Sequence, residues 1–245
     1  MKNVKSTYHI LILSASFALI GVVIVCSCIS GEDEARTVKF PPSHPRLALS
    51  ADELDALRKN PDTENKRKDI ISKADKMLAE ILFVPKTEGQ WIFYYACPKD
   101  GTRLEPESAE THVCPKCKVK YTDKRIVAAY VTIQYGKLEN QMQDLATAFA
   151  VTGDDKYAAP IKDAFLELAK LYPTLQRHDR WGRTGILAVV GGRRYSQHLD
   201  EAYSAIRLAK TYDLCAASGI FSPDDRTRIE QDFLGATVRE IQRYE

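Results

Sequence analysis

The chain has no surplus of charge of either sign: 35 Lys and Arg stand against 33 Asp and Glu. Lys2 and Lys5 account for that excess, and both lie in the first 27 residues, so the remainder is formally neutral. Such a balance argues against nucleic acid as a partner, because no basic excess is present to meet phosphates. A nucleotide cradle is missing too, since none of the glycines leads into Gly-Lys-Ser/Thr. No run of some twenty apolar residues occurs, the length that a spanning helix needs; the longest largely apolar stretch, Ile10 to Val25, has sixteen residues. No acidic residue precedes Glu32.

The early apolar stretch behind two lysines has the order of a bacterial export signal. Residues 1–27 are therefore expected to be a signal peptide and the protein to be exported, as a periplasmic protein, an outer-membrane lipoprotein or a secreted protein. Val25-Cys26-Ser27-Cys28 resembles a lipobox, which would place a lipid on Cys28; ordinary cleavage nearby and an uncleaved anchor are the alternatives. Membrane contact is expected only through this signal or a lipid. Residues 28–46, with Gly31, an acidic cluster and Pro41-Pro42-Ser43-His44-Pro45, read as a tether.

The rest is expected to be helical, in one domain spanning 47–245. Ser50 and Glu53 form a capping box ahead of a short helix with Leu54 and Leu57 on one face. A second helix is expected from Glu64 to Phe83, stopped by Pro85. Leu138, Met142, Leu145, Ala146 and Phe149 form one stripe ending near Gly153. Tyr157, Ile161, Ala164, Phe165, Leu168 and Leu171 form the next, and the two make a helical hairpin. Leu199, Ala202, Tyr203, Ile206, Ala209 and Asp213 repeat the pattern up to Gly219, and Ser222-Pro223-Asp224-Asp225 starts another helix. A recurring hairpin is the signature of a stacked array. Ile229, Phe233, Ala236 and Ile241 remain periodic up to Glu245, which reads as a chain cut in mid-helix.

Residues 90–123 break this pattern and are expected to be a β-hairpin insertion. Cys97-Pro98-Lys99-Asp100-Gly101 and Cys114-Pro115-Lys116-Cys117 look like two zinc knuckles, with thirteen residues between Asp100 and Cys114. Successive backbone N–H groups in such a turn stabilise thiolates aimed at one metal. Asp100 takes the place of a fourth cysteine, with His112 as the alternative ligand, and Lys118 replaces the glycine that commonly follows. Structural zinc is the expected cofactor; a disulfide or a metal-free relic are the competing readings. Cys215, on a helix stripe, reads as a buried small hydrophobe.

Between the hairpins, residues 177–201 hold Arg177, Arg180, Arg183, Arg193 and Arg194 with Trp181 and Tyr195. Arginine forks suit carboxylates or sulfates and aromatic faces suit sugar rings, so an acidic polysaccharide or oligosaccharide is the expected partner, with Arg183 and Tyr195 as contact residues. The competing reading pairs these arginines with local acids such as Asp179 and Asp200. Asp200 and Glu201 are adjacent and diverge on a helix, a poor arrangement for a hydrolase carboxylate pair.

His44-Pro45-Arg46-Leu47, the Cys-Pro knuckles, Thr152-Gly153-Asp154-Asp155-Lys156-Tyr157 leading to Leu171-Tyr172-Pro173, and Gln197-x-Leu199-x-Glu201 together resemble the N-terminal part of heparinase II/III-like and alginate-lyase-like polysaccharide lyases, over roughly residues 44–245. The resemblance implies an all-α fold, an incomplete (α/α) toroid of helical hairpins carrying the zinc-knuckle insertion, and β-elimination on a uronate-containing polysaccharide. It places Gln197, His198 and Glu201 at a groove-side helix start as substrate-binding residues. In the family an Asn/His pair neutralises the uronate carboxylate and a Tyr or His moves the proton; these catalytic groups are expected beyond Glu245. The alternative is a non-catalytic glycan-binding lipoprotein on the same scaffold.

Overall fold

The structure is a computed structural model that describes residues 43–243. The expected signal, Cys28 and nearly all of the tether lie outside the described residues. The protein is mostly helical, with one small three-stranded antiparallel sheet. Among the described residues no helix is long and apolar enough to cross a membrane.

Helix α1, Ala51–Lys59, begins at the expected capping box, in which Ser50 accepts from the Glu53 N–H and Glu53 from that of Ser50. Helix α2 spans Glu64–Leu78. It stops short of the expected Phe83 because the chain straightens to bury Val84 and to offer the carbonyls of Pro85 and Thr87 to the Tyr135 hydroxyl, at 3.2 and 3.1 Å. Ile81 and Phe83 are left exposed.

Helix α3, Lys124–Thr152, is the centre of the fold, and α1, α2, α4 and α5 all pack on it. Gly153 ends it with φ of 72°, a left-handed cap that a Cβ would strain. Asp154 then caps α4, Asp155–Leu171, completing the expected hairpin. The main core joins Leu138, Met142 and Leu145 of α3 to Ile161, Phe165 and Leu168 of α4.

Helix α5, His198–Cys215, differs from the expectation in the face it buries. Leu199, Tyr203 and Ile206 are 63%, 63% and 55% exposed, while Glu201, Ser204, Leu208, Thr211 and Cys215 face inward. The buried stripe sits two residues along from the expected one, about 200° around the helix. Polar contacts of Glu201 and Ser204 decide this rotation. Asp213 is buried, but as an anchor: it pairs with His44 Nδ1 at 2.6 Å and accepts the backbone N–H groups of Arg46 at 2.9 Å and Leu47 at 2.8 Å. The end of the expected tether is thus fixed to the helical body.

Gly219 does not cap α5, which ends four residues earlier. The Arg226 guanidinium instead donates to the carbonyls of Ala216 and Ser218. The last helical run starts at the expected Ser222–Asp225 capping box with α6, Pro223–Thr227, passes through a π-helical segment, Arg228–Gly235, and continues as α7, Ala236–Gln242. A Cβ on Gly235 would lie 2.8 Å from the Glu230 carbonyl oxygen, so glycine is what lets the wide turn close.

Candidate functional site

The cysteine insertion folds into three two-residue strands, β1 Glu105–Pro106, β2 His112–Val113 and β3 Lys120–Tyr121, paired in that order. Its core is small: Tyr95, Cys97, Leu104 and Cys114 packed against Ile126 and Ala129 of α3. The two knuckles are near copies. Gly101 N–H donates to the Cys97 carbonyl at 2.8 Å and Lys118 N–H to that of Cys114 at 2.9 Å, with φ of 72° at Gly101 and 60° at Lys118.

Side-chain ligand atoms of Cys97, Asp100, Cys114 and Cys117 all lie within 4.8 Å of one another, close enough to hold a metal ion. All three of these cysteines are free, as is Cys215. The Cys97 and Cys117 sulfurs are 3.7 Å apart, close to the edge of about 3.8 Å expected for a tetrahedron with metal–sulfur bonds of roughly 2.3 Å. A disulfide would use two thiols and strand the third beside a carboxylate. Hydrogen bonds from the Thr102 N–H and hydroxyl hold Asp100 down to about 2, so it is an anion at neutral pH. Burial pushes the Cys97 thiol up, but the Tyr121 hydroxyl at 3.1 Å and the N–H groups of Lys99 and Asp100 outweigh it and lower its pKa. His112, the alternative ligand, is turned away: its Nδ1 meets the Tyr95 hydroxyl at 2.8 Å and its ring packs on Tyr130. Cys215 is buried in α5 as expected, and burial raises its thiol to about 12.

The arginines of residues 177–201 divide into two groups. Three serve buried carboxylates. Arg177 and Arg193 share Glu240, the latter at 3.1 Å. Arg194, fully buried, reaches Glu139 at 3.2 Å, Ser204 at 2.6 Å and Glu201 at 3.6 Å. Burial opposes the charge of Arg194, but Glu201, Tyr195 and Glu139 more than compensate and raise its pKa. This network turns α5. Glu201 must point inward to accept the backbone N–H groups of Arg194 and Tyr195, both at 3.0 Å, and Ser204 must follow it to meet Glu139.

Two expected substrate contacts are therefore corrected. Glu201 is fully buried and committed to the loop backbone, and Tyr195 is buried with its hydroxyl on Glu139 at 2.8 Å. Neither faces solvent. Gln197 is the half-buried N-cap position of α5, its side chain 3.4 Å from Asp200, and His198 opens the helix with its N–H on the Val190 carbonyl at 2.8 Å.

Arg180 and Arg183 form the second group, on the outside. Asp179, buried, accepts from Arg183 Nε at 2.6 Å and from the N–H groups of Trp181 at 2.9 Å and Arg183 at 3.0 Å. Burial pushes the Asp179 carboxyl up, yet these donors outweigh it and the net shift is downward. The tight turn so formed displays Trp181, 55% exposed, with the guanidinium of Arg180 4.3 Å and that of Arg183 4.7 Å from its ring centre. Of the five arginines only Arg180 has no ion-pair partner among the described residues. The Arg183–Asp179 pair was legible from the sequence, whereas Glu139 and Glu240 were not, because they lie on distant helices.

No family model matches this chain, and no curated protein matches it.

Proposed function

We propose that this chain is the N-terminal helical part of an exported polysaccharide lyase that acts on a uronate-containing polysaccharide by β-elimination. The observation that carries the reading is the solvent-facing turn Asp179–Arg183, where Trp181 lies beside two guanidiniums, one of them without an ion-pair partner among the described residues. An aromatic face with arginine forks suits the ring and the carboxylate of an acidic sugar. Arg183, Gln197 and His198 remain substrate-contact candidates; proton transfer belongs to groups beyond Glu245 in this proposal.

The incomplete (α/α) toroid is part of the same proposal. It is supported by the α3–α4 hairpin, by the helical run after α5, and by the exposed apolar strip Leu199, Tyr203 and Ile206. In stacked hairpin arrays a face of that kind is covered by a neighbouring unit. Zinc is the proposed metal, because three thiolates and one carboxylate in a closed set of four match its structural preferences and leave no open position for catalysis.

The test is to express the gene read through past codon 245, incubate that product with a polyuronate and follow ultraviolet absorbance of the unsaturated uronate that β-elimination creates. Rising absorbance supports the lyase reading. A second reading, glycan binding without catalysis, rests on the same exposed Trp181 turn; it predicts saturable binding and no such product.

A further inference from the structure

The aromatic run Trp91–Tyr94 precedes the first cysteine knuckle, and the structure brings it against the Arg180–Trp181 turn. The Arg180 guanidinium, which lies against Trp181, is also 5.1 Å from the ring centre of Trp91. Tyr94 donates its hydroxyl to the Arg180 carbonyl at 3.0 Å, and Gln90 Nε2 donates to that of Asp179 at 3.3 Å. Arg125 of α3 lies over Tyr94 at 5.0 Å, and it has no ion-pair partner among the described residues. Phe93, packed against Trp91 at 5.0 Å, is 71% exposed.

A cleft of about 260 Å³ is lined by Glu88, Gln90, Gln176, His178 and Thr184. Gln90, His178 and Thr184 are chain neighbours of Trp91, Asp179 and Arg183, so the cleft borders both contributing segments. Exposed aromatics that lie against one another, unlike single exposed apolar side chains, mark surfaces where a ligand or partner is met. Here they alternate with Arg180 and Arg125, which no carboxylate pairs among the described residues, and this sets the charge of the occupant.

We propose that Trp91 and Phe93 of the cysteine insertion and Arg180 and Trp181 of the turn form one composite binding site for a uronate residue. Phe93 and the indoles take the apolar face of the sugar ring, Arg180 and Arg125 meet its carboxylate, and the polar cleft takes the hydroxyls of the next residue. The inference rests on the acidic-glycan reading and deepens it. It adds a dependence on metal: the insertion holds Trp91 in place but has only two-residue strands and a few buried side chains of its own. In so small a unit the metal supplies folding free energy, so occupancy of the Cys97–Asp100–Cys114–Cys117 set governs the sugar site.

The experiment is calorimetric titration of the zinc-loaded chain with a uronate oligosaccharide and with its carboxyl-reduced, neutral counterpart. The wild type should bind the acid form and not the neutral one. Phe93→Ala, at a position too exposed to threaten folding, should weaken binding roughly five-fold, and Arg180→Gln at least as much. Removal of the metal should lower affinity together with the tryptophan fluorescence change on binding. Unaltered affinity in Phe93→Ala and Arg180→Gln, with a wild type that binds, overturns the composite site while leaving the proposed function standing. A wild type that binds neither oligosaccharide overturns both. Equal binding of the two forms overturns the role given to the arginines.

Discussion

Lys118 sits in the left-handed region, with φ of 60°, at the position where the sister knuckle has Gly101. A side chain there costs on the order of 1 kcal/mol. Lys118→Gly should therefore raise the thermal stability of the metal-loaded insertion by about that amount; no change, or a loss, would show that the strain is relieved elsewhere. Asp179 offers a pH test. Its pKa is lowered on folding, so its contribution to stability is complete above the unfolded value of about 3.9 and disappears as pH falls through the lower folded value. The difference in urea midpoint between wild type and Asp179→Asn should be constant near neutrality and close below about pH 4. A difference unchanged at lower pH would remove Asp179 from the account. The buried acids Glu139, Glu201, Glu240 and Asp213 each hold an arginine, a histidine or backbone N–H groups. Deleting one partner would leave an uncompensated buried charge, the costly way to break such a pair.

At the scale of elements, what was legible in the sequence was local. Ser50 with Glu53, Ser222 with Asp225, and Gly153 place helix ends because their partners lie within a few residues. The ligand set Cys97, Asp100, Cys114 and Cys117 was legible for the same reason: each turn brings its own ligands together. The face of α5 was not. Its apolar stripe was a correct observation about the residues, but Glu201 and Ser204 bind Arg194 and Glu139, and Glu139 lies on α3 far away in the chain. The pairing of Trp91 with Arg180 was hidden likewise, since no periodicity links two loops so far apart. The insertion carries its own prediction. Purified wild type should contain about one equivalent of zinc and Cys114→Ser close to none. Equal metal content in the two would defeat the four-ligand site.

The whole molecule joins two devices on one helical body: a metal-ligand cluster in an insertion with little core, and an arginine–aromatic surface beside it. Helix α3 links them, packing Ile126 and Ala129 under the insertion and placing Glu139 under the loop that carries Arg194. Near-neutral overall charge means that any attraction for an anionic polymer must be local rather than a field of the whole protein. Such attraction is screened over a Debye length of about 8 Å at physiological ionic strength. The most direct test of the central claim is the affinity of the zinc-loaded protein for a polyuronate, measured across a range of salt concentrations beside an uncharged polysaccharide of equal length. The account predicts saturable binding of the polyuronate that weakens moderately with salt and no measurable binding of the neutral chain. Failure to bind the polyuronate at low salt, or equal affinity for the two polymers, would contradict it.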